Sequence, residues 1–462
     1  WSSDVCSSDL LWIGTDEVGM LKYSSKENRI FSEKEGLSSI SVNSILEDYE
    51  GNLWVGTQLG GLNLLKSESI VNFNTKDGLP DNKILAVSKP TSGFLYVSTK
   101  SGGIYYLEPG SSAFLPVVSA QELFEKHFTF LISLAGNILV GGTENNGLIF
   151  FNANGKQLKP FKNCKEVLVD GKEEGIYNVV KILPTSDNKL WVATYGSGLF
   201  LFTSQGEILK HYYANDGSGL NSNDLLTAGF DAKGRLLVSE HSFGLKVLEN
   251  GHFVNYSLAD SSKFSVVWSI ALNKDGRVFF GTQDEGLVVQ SGNTFTSINN
   301  ENGLCSNFIQ SMFMERNAIW LGTDKGVNHI VLDGKNQVSD IRFYGIDEGL
   351  MSQEITQNGI TQDENNCLWF CTQDGLARYN PKLDFRVSTP PKLLLTDIKL
   401  FYEHLDWNQY ADSLDSKTRL PVELELSHDK NNLTFVFRAL TTDKTNYKFK
   451  LENLDADWSP YS

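Results

Sequence analysis

Apolar residues along the chain fall in short, alternating runs. "SVNSILED" (41–48) and "LWVGT" (53–57) show the habit, with large apolar side chains separated by small or polar ones. Alternation of period two predicts half-buried β-strands. The i, i+3, i+4, i+7 spacing of an amphipathic helix is scarce, so little helix is predicted. Turns punctuate the runs. Several read D-x-x-G, as at Asp48–Gly51 and Asp231–Gly234. Glycine there supplies positive φ in a tight hairpin, and the Asp carboxylate can accept from the turn's amides.

The runs repeat. "LWIGTDEVGMLKY" (11–23) returns as "LWVGTQLGGLNLL" (53–65), then from Leu95, Ile138, Leu190, Leu236, Val278, Ile319 and Leu368. The second positions are Trp12, Trp54, Tyr96, Leu139, Trp191, Leu237, Phe279, Trp320 and Trp369, at spacings of 42, 42, 43, 52, 46, 42, 41 and 49. Each unit has the same grammar. A polar "GL" stretch leads into a strand and a D-x-x-G turn, then the "LWVGT" strand, a Gly-containing hairpin and a third strand. A fourth, such as "SIVNF" (69–73), closes it. Nine units of this length and grammar predict an all-β fold of four-stranded propeller blades. The small fourth position (Gly14, Gly56, Gly281, Gly322) is expected to allow close packing between blades, and Trp54 to fill that core. Cys371 occupies the same position and reads as a packing substitute. Trp268, early in a first strand, also reads as core.

Composition sharpens the picture. The 40 glycines and 28 phenylalanines suit many turns and aromatic-filled strands. A net charge of −16 argues against this region gripping nucleic acid or an anionic membrane. The five cysteines, Cys6, Cys164, Cys305, Cys367 and Cys371, show no metal spacing and read as packing thiols. No apolar stretch is long enough to span a membrane. The lead "WSSDVCSSDL" lacks the regions of a signal peptide, reads as non-native and is set aside.

The sentence Asp48–Leu62, D-x-x-G-N-L-W-V-G-T-x-x-G-G-L, resembles the propeller repeat of bacterial two-component regulators. Segment 344–381 is similar to that family's final blade, with its "YNP" exit. "NYKFKLENLDADWSPYS" (446–462) is similar to the start of a triple-tyrosine Ig-like domain, at Tyr447, Phe449, Leu451, Asp455 and Trp458. Phe449 replaces a common Tyr. The resemblance implies these domains: 1–10, the non-native lead; 11–74, the last two blades of an N-terminal propeller; 75–383, a seven-bladed β-propeller; 384–462, a partial Ig-like β-sandwich. A single ring of eight or nine blades is the alternative. The chain is then an internal fragment of a longer receptor.

On a propeller, the loops between strands two and three share one face with the connections into the next blade. Loops on a rigid scaffold carry function. Ligand-binding candidates there are Tyr195, His241, Gln283 and Gln373 from the hairpins, with Asn223, Asn307 and Asn358 from the connections; Asp284, Asn82 and Asn221 belong to the same loops. Amides and aromatic faces suit a hydroxyl-rich ligand such as a carbohydrate. Asn is equally a turn residue, so turn chemistry is the competing reading. Two insertions, 152–178 and 331–358, are candidate lids or interfaces; within the first, 155–167 is locally basic.

Propellers also carry enzymes, so the fold decides nothing. A sialidase needs an arginine triad, which the scattered arginines do not supply. Seven histidines show no metal-ligand spacing. No nucleophile elbow, phosphate loop or dinucleotide fingerprint occurs. No catalytic residue, metal or cofactor is therefore expected. The resemblance implies the periplasmic sensing region of a two-component signal transduction receptor. It would bind a small molecule or oligosaccharide, with the membrane segment and histidine kinase outside this chain and a homodimer in the full-length receptor. A surface carbohydrate-binding or scaffold propeller is the alternative, and a propeller hydrolase or lyase the third reading.

Overall fold

The computed structural model describes residues 3–7, 10–25, 28–88, 93–117, 123, 125–169, 171–256, 266–292, 294–333, 337–384, 391–403, 405–430, 432–441, 445 and 447–459. The chain divides into two compact units: Ser67–Asp384, and Trp1–Lys66 with Phe385–Ser462.

Ser67–Asp384 holds seven four-stranded antiparallel sheets, here blades one to seven. Their first strands are Ile84–Ser88, Phe128–Leu134, Val179–Pro184, Leu225–Phe230, Val267–Leu272, Ile309–Met314 and Ile355–Gln362. Each first strand packs on the next, and that of blade seven packs on that of blade one. The first strands therefore line a central channel. Between successive sheets lie seven apolar clusters. One of them sets Trp369 and Cys371 of blade seven against Ile84 and Val97 of blade one, closing the ring. The core is thus shared between sheets, because a sheet with two apolar faces must bury both.

The repeated residues are the means of that packing. A Cβ added at Gly322 would lie 2.7 Å from Ile355 Cγ2, and one at Gly281 2.8 Å from Ile309 Cγ2. Both struck residues begin the next blade's first strand, so the small position sets how closely blades approach. The threonine after it is equally consistent. Thr143, Thr194, Thr282, Thr323 and Thr372 each donate their hydroxyl to a hairpin glycine carbonyl. The "GL" stretches are capped 3₁₀ turns. Asn74 accepts from Lys76 N, Asp77 answers Asn74 N, and Gly78 takes φ 92°. Asn299, Asn302 and Gly303 repeat the arrangement.

Three sequence expectations need correction. Strand Ile70–Phe73 was expected to close the second repeat. It instead pairs with Leu376–Tyr379 as the outer strand of blade seven, so the ring starts before residue 75. Pairing there buries Phe73 against Trp369, 5.6 Å between ring centres. The repeat before it keeps three strands, Val42–Glu47, Leu53–Thr57 and Gly61–Leu65. Trp54 is only half-buried, and its indole donates to Asp48 Oδ2 at 2.9 Å. The insertion 152–178 folds as the blade-two outer strand Gln157–Cys164 and a hairpin, Glu166–Val169 with Lys172–Gly175. Much of 331–358 is likewise the long strand Val338–Tyr344 and a 3₁₀ turn.

In the other unit, Ser3–Ser7 pairs with Leu10–Gly14, so part of the segment set aside on sequence is the edge strand of a four-stranded sheet. Trp12, Met20 and Phe31 of that sheet pack on Val42, Ile45 and Val55 of the next. Towards the C-terminus, Lys392–Leu400 pairs with Leu433–Leu440, and Ser413–Leu414 with Pro421–Val422. Ile398, Leu400 and Trp407 form the core there. Tyr447 lies edge-on to Phe437 and its hydroxyl accepts from Ala439 N at 2.9 Å; Trp458 is 63% exposed.

Candidate functional site

The hairpins after Lys189–Thr194 and Leu236–Glu240 bring Tyr195 and His241 together. Their ring centres are 5.9 Å apart in an edge-on arrangement. His241 is exposed and Tyr195 is 37% exposed. Phe243, on the same hairpin as His241, is 53% exposed. Two adjacent blades thus present an open aromatic pair, the arrangement that suits the apolar face of a sugar ring. Gln283 is exposed and its Oε1 lies 3.4 Å from Trp268 Nε1. Trp268, expected in the core, stands edge-on to Phe308 in this partly exposed layer.

Three of the asparagines are occupied by turn chemistry. Asn82 Oδ1 accepts from Thr75 N, Asn223 Oδ1 from Ala214 N and Asn307 Oδ1 from Asn300 N, at 3.1, 2.7 and 2.8 Å. Each braces the connection between blades. Gln373 donates to Glu354 Oε1 at 3.1 Å. Asp284 and Asn221 are exposed.

Blade four breaks the threonine rule. Glu240 stands in its place, fully buried, 3.5 Å from Lys246 Nζ. Its Oε1 accepts from Asn221 N at 2.6 Å and Ser222 N at 3.1 Å. A buried carboxylate with an ammonium and two amides holds its loop firmly. It immediately precedes His241, so the His241 side of the pair sits on a rigid base.

Asn358 belongs elsewhere. It was expected on an exposed connection, but it lies inside the first strand of blade seven, with φ 56°. There the strand advances by five positions, from Ile355 to Ile360, while its partner advances by two, from Thr372 to Phe370. The resulting bulge crosses the channel. Asn358 Nδ2 donates to Val180 O of blade three at 2.9 Å, Gln357 Nε2 to Leu226 O of blade four at 2.7 Å, and Thr356 Oγ1 to Ile84 O of blade one at 3.2 Å. All three acceptors stand at or near the starts of their strands. The bulge therefore plugs the channel at the end where Tyr195 and His241 lie.

Beyond the plug is a cavity of about 520 Å³. Its polar lining includes Ser88, Thr129, Ser133, Lys181, Asn358 and Glu364. Lys181 Nζ donates to Asn358 Oδ1 at 2.6 Å and stands 5.6 Å from the Phe130 ring centre. Burial lowers its pKa to about 8. Sequence reasoning missed Lys181, yet a signal exists: at the matching bulge position five other repeats carry Ser44, Ala86, Thr227, Ser269 and Ser311, and blade two carries Phe130, so Lys181 is the one charged residue among these.

Among the described residues, no three His, Cys, Asp or Glu side chains gather in a metal-binding cluster. His329 stacks on Trp320 at 4.1 Å, and burial first, with Arg342 beside it, lowers its pKa to about 4. His211 stacks on Phe200 at 4.1 Å. Burial raises the Cys371 thiol well above its ordinary value, as expected of a packing residue.

Residues 36–58 match the family described as two component regulator propeller. The chain is 27% identical over 292 residues to histidine kinase P4 of Formosa agariphila, which covers 59% of the chain and 21% of that protein. It is similar in structure to the extracellular domain of a protein named as a hybrid two component system of B. thetaiotaomicron. That likeness has a TM-score of 0.73 at 19% identity, over 99% of this chain and 62% of the other. A second such domain from the same organism gives 0.54 at 16% identity, over 100% of this chain and 63% of the other. The chain spans about a fifth of the curated relative and less than two thirds of these domains. It is a β-propeller protein that carries the two component regulator propeller repeat.

Proposed function

We propose that this chain is the ligand-sensing extracytoplasmic region of a two-component receptor, placed in the periplasm and without catalysis of its own. The observation that carries the reading is the likeness over 99% of the chain to the extracellular domain of a hybrid two component system. Residues 385–462 would begin an Ig-like domain leading towards the membrane, and the kinase would lie outside the chain. The ligand would be a carbohydrate held at the Tyr195–His241 pair. A ligand acts as a signal only through different affinities for two arrangements of the receptor. Its effect would then pass through the Ig-like domain. Glycan-array binding followed by thermal melting tests this. An oligosaccharide should raise the melting temperature, and Tyr195→Ala should abolish that rise without changing the melting of the free protein. Hydrolysis of an oligosaccharide, with no stabilisation by any, would overturn it.

A further inference from the structure

The channel cavity holds a cation, Lys181, that has no ion-pair partner among the described residues. Among the described residues no carboxylate lies within ion-pair distance of Lys181, whose ammonium donates to the neutral Asn358 amide. An ammonium has three donors, so its valence is not filled by that contact. Taking such a charge out of water without a partner is unfavourable, which is the cause of its lowered pKa. Most other repeats carry a small side chain at this position, and a neutral one would suffice for packing alone.

We infer that the cavity is a second ligand site, for a small hydroxylated carboxylate whose anionic group pairs with Lys181. The charge logic is specific. With a net charge of −16, the outer surface does not favour anions, so an anion site needs its own cation in a place of low dielectric. Asn358 fixes the ammonium from the plug side and Val180 O fixes the Asn358 amide in turn. Ser88 and Ser133, whose hydroxyls bond each other at 2.9 Å, keep a donor and lone pairs for polar groups on the ligand, and Thr129, which donates to Val179 O, can accept from them, while Leu131 and Ile360 line the cavity too. About 520 Å³ is the size of a small-molecule site. The plug closes the end beside Tyr195 and His241, so entry is from the opposite face, past Glu364 in the turn after the strand. Two carboxylates would meet Glu364 as well, which restricts the ligand to one. The site is separate from the Tyr195–His241 pair and does not depend on the sensor reading.

Calorimetric titration with glucuronate, galacturonate and lactate tests the inference, with glucose as the neutral control. At least one of the three acids should bind saturably at millimolar concentration, and glucose should not. Lys181→Met should weaken binding about tenfold or more, the loss expected for a charge-assisted hydrogen bond. Lys181→Arg should retain it, and Tyr195→Ala should leave it unchanged. A second readout avoids dependence on a variant's folding. In the unaltered protein, the binding acid should protect Lys181 from reductive methylation, followed by mass spectrometry, and glucose should not. No saturable binding of any of the three acids overturns the proposal. So does equal binding by Lys181→Met, loss of binding in Tyr195→Ala, or no protection of Lys181.

Discussion

Trp369 Nε1 donates to Asp363 Oδ2 at 2.9 Å, across six residues of chain. The other carboxylate oxygen accepts from Asn365 N and Cys367 N at 2.8 and 3.0 Å. Asp48 and Trp54 repeat the link at 2.9 Å. One aspartate thus ties the turn to the strand that follows. Asp363→Ala should destabilise the protein by about 1–3 kcal/mol, because it orphans two amides and an indole N–H. Urea unfolding followed by tryptophan fluorescence measures this, and Asp363→Asn should lose less. An alanine variant as stable as the parent would show that the link only decorates the turn.

Blade spacing depends on glycine. At Gly322 any Cβ meets Ile355, 2.7 Å away at Cγ2. Gly322→Val should therefore destabilise by about 1–3 kcal/mol through overpacking. Pairing it with Ile355→Ala should recover part of the loss, since the two residues touch. Additive losses in the double variant would refute direct contact.

The ring begins with Ile70–Phe73. A chain of residues 67–384 should melt in one cooperative step. A chain of residues 75–384, which starts at the boundary drawn from sequence, should melt lower or aggregate. It lacks the strand that covers Leu376–Tyr379 and loses buried Phe73, a loss of about 3–5 kcal/mol for the aromatic side chain alone. Differential scanning calorimetry of both distinguishes the two boundaries. Equal melting would mean that blade seven does not need its outer strand.

His329 makes stability depend on pH. Its folded pKa, about 4, lies below the ordinary 6.5, so between those values the unfolded chain binds the proton and the folded one does not. Stability is complete above pH 6.5 and falls as the pH drops towards 4. The loss should be on the order of 2 kcal/mol, less than the full shift implies because the ring is not wholly enclosed. His329→Gln should flatten this part of the profile, measured by urea midpoints at several pH values. An unchanged slope would assign the acid sensitivity to other groups.

Gly359 allows the plug. A Cβ there would lie 2.8 Å from Thr356 O and 2.9 Å from Cys371 Cβ. Gly359→Ala should displace the bulge and loosen the Asn358–Lys181 contact. The expected result is faster methylation of Lys181 together with a lower melting temperature. Unchanged lysine reactivity would show that the bulge relaxes without moving Asn358.

The alternation of apolar and polar positions determined the strands. The repeated D-x-x-G, "GL" and "GT" residues determined the turns, because each acts on backbone groups within a few residues of itself. Asp48, Gly78 and Thr194 do in the structure what their local chemistry requires. Tyr195 and His241 were legible as hairpin-loop candidates on one face, although their meeting at 5.9 Å was not. Only the tertiary structure decided which sheet received Ile70–Phe73, since any blade edge offers the same backbone hydrogen bonds and closure of the ring selects one. Only the tertiary structure likewise placed Asn358 beside Lys181, 177 residues away along the chain. A bulge can cross a channel only once opposite blades have made one. No local pattern of residues records a distance across a closed ring.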